Sequence, residues 1–130
     1  MLSVVCAIIM RGSKILVTKR PAHKKEGLKW EFPGGKVESG ETEQAALTRE
    51  IREELSIEVG PIEKIGAVAI KVPRINLTAW NCHWLSGEIH LTEHLAFDWV
   101  EVQDLTAVDL SGADILLIPQ IKSYIENSPI

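Results

Sequence analysis

A glycine-rich turn followed by a carboxylate-rich segment is the feature that most constrains this chain. The turn spans Gly34 to Glu41, and the segment runs on through Arg49 to Leu55. Thr42 predicts a helix start between them, because its hydroxyl can accept a hydrogen bond from a free backbone amide of the first turn. Strong helix formers follow it: Ala45, Ala46, Leu47, Glu50, Arg52, Glu53, Glu54 and Leu55. We therefore expect a turn that leads directly into a helix.

The expected helix has an apolar face and an acidic face. At 3.6 residues per turn, Leu47, Ile51 and Leu55 form a stripe that should face the core. Three carboxylates gather beside it at spacings of three and four residues: Glu50, Glu53 and Glu54. Like charges at these spacings cost roughly 0.2–0.5 kcal/mol per pair, which a bound cation would offset. Carboxylate oxygens suit Mg²⁺, which often takes further ligands from substrate phosphates. The alternative is a solvated acidic face.

The spacing of these residues resembles the Nudix box. The family pattern is Gly, five residues, Glu, seven residues, then Arg-Glu-apolar-any-Glu-Glu-any-Gly-apolar. This chain matches it at eight positions: Gly35, Glu41, Arg49, Glu50, Ile51, Glu53, Glu54 and Ile57. Ser56 stands where the family has glycine, which at a helix end commonly serves a left-handed residue. The resemblance extends beyond the box and is closest to the MutT-like nucleoside triphosphate pyrophosphohydrolases, within them to the type that acts on CTP.

The order of the remaining elements indicates a mixed sheet between two helical layers. Strands are predicted at 3–10, 14–19, 62–72, 75–85, 88–91 and 96–102. A final helix is predicted over 113–126, and Pro119 inside it should kink or split it. The 130 residues predict one domain, 1–130. The resemblance implies the same architecture, an α+β protein with an α/β/α sandwich.

Charge and composition exclude several classes of function. The net charge of −4 predicts no broad basic face and no stable binding of nucleic acid. The apolar start of the chain lacks the pattern of a signal peptide, and no apolar run is long enough to span a membrane. Cys6 and Cys82 lie in apolar strand-like stretches, which predicts buried free thiols. We expect a cytoplasmic protein without membrane partners.

The resemblance implies a metal site and catalytic residues. It implies that Mg²⁺, or Mn²⁺, is bound by Glu50, Glu53 and Glu54 together with the backbone carbonyl of Gly34. Arg49 would orient a glutamate of the helix, although an ordinary surface ion pair is the alternative. Glu93 lies six residues before Trp99, the spacing of a loop glutamate that completes the metal site or helps to activate water. A simple surface glutamate remains the other interpretation.

Residues outside the acidic helix are candidates for substrate binding. Arg20 and Lys36 flank the turn and could contact phosphates. Lys25 aligns with a nucleotide-contacting histidine of the MutT type. Phe32 and Trp80 could stack on a base, although core packing is the commoner fate of a lone aromatic residue. Two further expected contacts lie just before the glycine-rich turn and at its first residue: Glu31 and Gly34. His90 and His94 are four residues apart, but no matching Cys or carboxylate set indicates zinc.

Asp114 is the candidate for base selection. It opens the predicted last helix, so an N-cap is one interpretation. The resemblance gives another: MutT-like enzymes that prefer oxidised guanine carry Asn at this position, and the CTP-hydrolysing type carries Asp. An ionised carboxylate only accepts hydrogen bonds, which matches the exocyclic amine of cytosine. This predicts a preference for CTP, dCTP or a modified cytosine nucleotide over 8-oxo-dGTP.

The sequence therefore predicts a Mg²⁺-dependent enzyme that hydrolyses a nucleoside triphosphate to the monophosphate and pyrophosphate. The same family offers a first alternative, hydrolysis of another nucleoside diphosphate linkage, such as an RNA 5′ end or a dinucleotide. A non-catalytic module that senses nucleotides is a second alternative, of a different class. The sequence leaves open whether the protein is a monomer or a homodimer.

Overall fold

The computed structural model describes residues 2–71 and 74–127. Its strands are β1 (Leu2–Arg11), β2 (Lys14–Lys19), β3 (Trp30–Glu31), β4 (Gly34–Lys36), β5 (Glu58–Lys71), β6 (Arg74–Ser86) and β7 (Ala96–Glu101). Its helices are α1 (Glu43–Leu55), α2 (Gly112–Ile115) and α3 (Ile118–Glu126), with a 3₁₀ helix at Val102–Ala107. No helix within the described ranges is both long enough and apolar enough to cross a membrane.

The strands form one mixed sheet in the order β3-β2-β1-β6-β5. Strands β1 and β6 run parallel, from the pair Leu2 and Ile75 to the pair Ile9 and Cys82. The other pairings are antiparallel, including β4 on β1 and β7 on β2. The first two predicted strands therefore form an antiparallel hairpin, and the predicted mixed sheet is confirmed.

Helices cover both faces of this sheet. Because side chains alternate along a strand, β1 sends Val5, Ala7 and Ile9 to one face and Cys6 and Ile8 to the other. The first face packs against the apolar stripe of α1: Ala46, Leu47, Ile51 and Leu55. The second packs against the C-terminal helices and the segment before them, including Leu105, Leu110, Leu117, Ile118 and Ile121. The predicted α/β/α sandwich is confirmed.

Thr42 caps the start of α1 as the sequence predicts, and Ser56 ends the helix. The Thr42 hydroxyl accepts a hydrogen bond from the Ala45 amide at 3.1 Å. Ser56 adopts the left-handed conformation, with φ of 61°, and its amide donates to the Arg52 carbonyl at 3.1 Å. A serine thus occupies backbone space that favours glycine, and the helix ends where the family's glycine would end it.

One predicted strand is wrong, the last predicted helix is split as expected, and one predicted break lies outside the described residues. The prediction of a strand at 88–91 is wrong. This segment instead hydrogen-bonds to the C-terminal end of α1, where the His90 amide donates to the Leu55 carbonyl at 2.9 Å. The last predicted helix is split into α2 and α3, and Pro119 lies in the first turn of α3, where no intrahelical N–H bond is lost. Pro73, which separates the strands predicted at 62–72 and 75–85, lies outside the described residues.

Candidate active site

A cavity of about 720 Å³ lies beside the turn and the acidic helix. Its walls come from β1, β3, β4, α1, β6, α2 and the loops that follow β2 and β6. Six acidic residues line it: Glu31, Glu38, Glu50, Glu54, Glu93 and Asp114. Four basic residues line it as well: Arg20, Lys24, Lys25 and Lys36. One cavity therefore offers ligands for a cation and positive charge for an anion.

The two glycines of the turn allow close contact on both of its sides. A Cβ atom at Gly34 would collide with the backbone carbonyl of Val5, because β4 pairs directly with β1 there. A Cβ atom at Gly35 would collide with the carboxyl group of Glu50. Glycine is therefore required for the turn to lie directly against a carboxylate of α1.

Arg49 ties the turn to the acidic face of α1. Its Nε and Nη2 donate to the two oxygens of Glu41 at 2.7 and 2.9 Å. Its Nη1 donates to Glu50 Oε1 at 2.9 Å, and Nη2 also donates to the Lys36 carbonyl at 3.1 Å. These bonds lower the pKa of Glu41 to about 2 and raise that of Arg49. Such contacts are those of a residue that orients other side chains.

The surroundings of Glu54 are those expected of a cation site. Burial raises the pKa of its carboxyl group well above the ordinary value, and the neighbouring Glu50 carboxylate raises it further. Its Oε2 is buried and has no hydrogen-bond partner among the residues that the structure describes. A buried, unpaired oxygen beside a second carboxylate is unfavourable until a proton or a cation neutralises it. The pair Glu50 and Glu54 therefore fits a divalent ion.

The other predicted metal ligands are less enclosed. The Glu53 side chain is 59% exposed, 3.4 Å from Arg49 Nη1, and does not line the cavity. Glu93, in the loop after β6, also lines the cavity. Its Oε1 lies 3.4 Å from Nζ of Lys24, which belongs to the loop after β2. Across residues 2–71 and 74–127, no three His, Cys, Asp or Glu side chains already converge as metal ligands would. This is consistent with a Mg²⁺ site that takes several ligands from water and phosphate.

The basic residues of the cavity differ in their freedom to bind an anion. Arg20 is already paired, since its Nη1 donates to Glu31 Oε1 at 2.6 Å and its Nε donates to the Lys25 carbonyl at 2.9 Å. Lys25 and Lys36 line the cavity without an ion pair to any described residue. Their ammonium groups are therefore the cations that a phosphate could reach without breaking an existing contact.

Asp114 lies in the cavity wall and not at a helix start. The N-cap interpretation is wrong, because Ser111 is the N-cap of α2 and Asp114 is its third residue. Asp114 is 5% exposed, and its Oδ2 accepts the Phe32 amide at 2.8 Å. Burial raises the pKa of this carboxyl to about 7, against the opposing effect of the Phe32 bond. Phe32 also lines the cavity and is 2% exposed.

Trp80 does not belong to this cavity. In the register of β1 and β6 it pairs with Ala7, so its ring faces α1. The ring is buried there, and its Nε1 donates to Glu43 Oε1 at 2.9 Å. The β6 residues that line the cavity are Ile75 and Leu77. The structure therefore does not support stacking of Trp80 on a base.

Among the Lys, Arg, His, Asp and Glu residues that line the cavity, three are not predicted site residues: Lys24, Glu38 and His94. Lys24 and Glu38 carry no sequence signal beyond their place next to predicted positions. The sequence suggests no role for His94 other than zinc binding, yet in the structure its Nε2 lies 2.7 Å from Glu31 Oε2. Its position directly after Glu93 is the signal that could have identified it.

Comparisons with known proteins agree with this arrangement. The NUDIX domain model matches residues 1–120. The CTP pyrophosphohydrolase of Escherichia coli K12 is 40% identical over 120 residues, which cover 91% of this chain and 89% of that protein. The putative 8-oxo-dGTP diphosphatase 2 of Mycobacterium tuberculosis H37Rv is 40% identical over 114 residues, covering 85% and 81%.

A solved structure supports the same assignment. The solution structure of the E. coli ORF135 protein has a TM-score of 0.87 and 37% identity, and the match covers 99% of this chain and 94% of that one. The family match spans the turn, the acidic helix and the strands that build the cavity. The chain belongs to the Nudix family.

Proposed function

We propose that this protein is a Mg²⁺-dependent hydrolase that cleaves a nucleoside triphosphate to the monophosphate and pyrophosphate. The observation that carries the proposal is the cavity lined both by the half-buried pair Glu50 and Glu54 and by the lysines Lys25 and Lys36. A triphosphate with its metal ion needs both kinds of group in one place. The names of the relatives, a CTP pyrophosphohydrolase and a putative 8-oxo-dGTP diphosphatase, are consistent with it.

Glu50 and Glu54 would hold the ion together with the Gly34 carbonyl. Glu53 and Glu93, which are more exposed, would join them through side-chain movement or through water. A bound Mg²⁺ would neutralise charge on phosphate oxygens and lower the pKa of a water molecule. Mn²⁺ has similar ligand preferences and is the alternative ion.

The chain's own residues would bind and orient the substrate. Lys25 and Lys36 would attract the phosphate oxygens as point charges. Arg49 would keep Glu50 fixed against Gly35, since it bonds Glu50 and the Lys36 carbonyl at once. Its role is to hold the acidic face in one geometry, which limits the reorganisation needed when the substrate arrives.

Asp114 is the residue that we propose selects the base. It is buried in the cavity wall, and its Oδ2 is held by the Phe32 amide. When ionised it offers only acceptors, which suits the exocyclic amine of cytosine. We therefore propose that CTP, dCTP or a modified cytosine nucleotide is preferred over 8-oxo-dGTP.

A panel of canonical and damaged nucleoside triphosphates with Mg²⁺, followed by pyrophosphate release, tests this function. We expect the highest kcat/KM for a cytosine nucleotide. Asp114→Asn should change the ratio of kcat/KM between dCTP and 8-oxo-dGTP by about 10- to 100-fold, because a mismatched polar group would be left unpaired. Asp104→Asn, at an exposed position, is the control. An unchanged ratio in Asp114→Asn would show that Asp114 does not read the base.

We also propose a cytoplasmic location. Cys6 and Cys82 are both free and buried, and burial raises the pKa of the Cys82 thiol to about 12. Buried thiols with raised pKa values are unreactive and need no oxidising compartment. Fractionation of the source cells with an antibody against this protein would test the location.

A further inference from the structure

His94 is a buried cavity residue that the proposed chemistry does not use. Its side chain is 6% exposed and lines the same cavity as Glu54 and Asp114. Its Nε2 lies 2.7 Å from Glu31 Oε2. A carboxylate only accepts hydrogen bonds, so Nε2 is assigned as the donor.

The other ring nitrogen shows why this orientation is fixed. His94 Nδ1 is buried and has no hydrogen-bond partner within residues 2–71 and 74–127. The ring therefore keeps one nitrogen on Glu31 while the other is buried without a partner, which indicates that the bond to Glu31 dominates its placement.

Glu31 is held from its other side as well. Its Oε1 accepts from Arg20 Nη1 at 2.6 Å, and the Arg20 Nε is itself tied to the Lys25 carbonyl. The two oxygens of Glu31 thus each receive one charged or polar donor from a different loop. Since each carboxylate oxygen can accept a second hydrogen bond, both retain capacity for a ligand.

The position of Glu31 defines what that ligand group can be. It lines the same cavity as Glu54, and the next residue, Phe32, donates its amide to Asp114 at 2.8 Å, so Glu31 lies close to the proposed base end of the cavity. A carboxylate repels phosphate oxygens. It attracts donors of the nucleoside part, namely the exocyclic amine of a base or a sugar hydroxyl.

We propose that His94 is a positioning residue for nucleoside recognition: with Arg20, it fixes the Glu31 carboxylate as an acceptor for a donor group of the nucleoside. This inference rests on the proposed function and adds a residue to it. A contact to the nucleoside exists before and during reaction, so its loss should raise KM and leave kcat nearly unchanged.

Two variants of His94 and one control variant test the proposal with CTP at saturating Mg²⁺. His94→Leu should raise KM about 10-fold or more, because Glu31 loses a hydrogen bond that holds it, with kcat within about threefold of wild type. His94→Gln keeps an N–H donor and should restore KM to within about threefold of wild type. His83→Leu, at an exposed histidine of β6, is the matched control and should behave as wild type.

The dependence on Glu31 provides the second readout. Glu31→Gln should reproduce the rise in KM, and the double variant with His94→Leu should be no worse than Glu31→Gln alone. Additive effects, a fall in kcat without a rise in KM, or equal damage from His94→Gln and His94→Leu would overturn the proposal. If His94→Leu does not fold, an unchanged KM in Glu31→Gln overturns it.

Wild-type activity is measured first, which separates this inference from the proposed function. If the wild type hydrolyses no nucleoside triphosphate, the proposed function fails. The inference is then tested by calorimetric binding of α,β-methylene-CTP with Mg²⁺, for which His94→Leu should weaken affinity about 10-fold. Equal affinities of wild type and His94→Leu, or no binding by either, would overturn it.

Discussion

Replacement of Asp114 by asparagine tests whether the buried carboxyl group of the cavity wall carries a proton near neutral pH. The two side chains have nearly the same shape, and the Asn oxygen can still accept the Phe32 amide that Asp114 Oδ2 accepts at 2.8 Å. Asparagine has no ionisable proton. The substitution therefore removes the titration and keeps the contact.

The magnitude follows from the raised pKa. Burial shifts the pKa of Asp114 from 3.8 to about 7 in the folded protein. Residue 114 of the unfolded chain ionises first, so the contribution of Asp114 to the free energy of unfolding falls as the pH rises from about 4 to about 7 and is constant above that. About three pKa units correspond to about 4 kcal/mol in total, of which about 3 kcal/mol falls between pH 5 and pH 8. The Asp114→Asn variant lacks this pH-dependent decrease in the free energy of unfolding.

Urea unfolding at pH 5 and pH 8 measures the effect. We expect the free energy of unfolding of Asp114→Asn, relative to wild type, to rise by about 3 kcal/mol between these two pH values. Asp104→Asn removes one exposed carboxylate and corrects for the change in net charge. A difference between Asp114→Asn and wild type that is the same at both pH values would refute the reasoning.

Two further predictions concern α1. Ser56→Gly should raise the free energy of unfolding by about 1 kcal/mol, because glycine adopts the left-handed conformation without strain, and hydrolysis should persist. Urea unfolding checks this, and a less stable variant would show that Ser56 is not strained. Arg49→Lys keeps one charge but cannot bond Glu41, Glu50 and the Lys36 carbonyl together, so kcat should fall about 10- to 100-fold. Initial rates at saturating Mg²⁺ check it, and a wild-type rate would contradict it.

The turn and the acidic helix could be predicted because their signals are local. The N-cap at Thr42 and the apolar stripe of α1 follow from residues within one or two helical turns of each other. Alternating burial along the strands likewise predicts two covered faces of a sheet, as β1 has. These features do not depend on contacts between residues that are far apart in the sequence.

The rest of the cavity depends on distant pairing. The face to which Trp80 points is set by the register of β6 on β1, and no local pattern determines that register. Asp114 looks like a cap because it follows Ser111 and Gly112, yet its bond to Phe32 spans 82 residues. The segment 88–91 has the composition of a strand, but its backbone hydrogen bonds go to the end of α1.

The central claim is that the half-buried pair Glu50 and Glu54 supports metal-dependent hydrolysis of a phosphoanhydride. Glu54→Gln keeps the size of the side chain and removes its charge, whereas Glu63→Gln makes the same change at an exposed position of β5. The decisive measurement is the rate and product pattern of CTP hydrolysis with Mg²⁺ by ³¹P NMR for both variants and wild type. The account predicts CMP and pyrophosphate from wild type and Glu63→Gln, and a kcat at least about 100-fold lower for Glu54→Gln with little change in thermal stability. A wild-type rate in Glu54→Gln, or release of orthophosphate by the wild type, would contradict it.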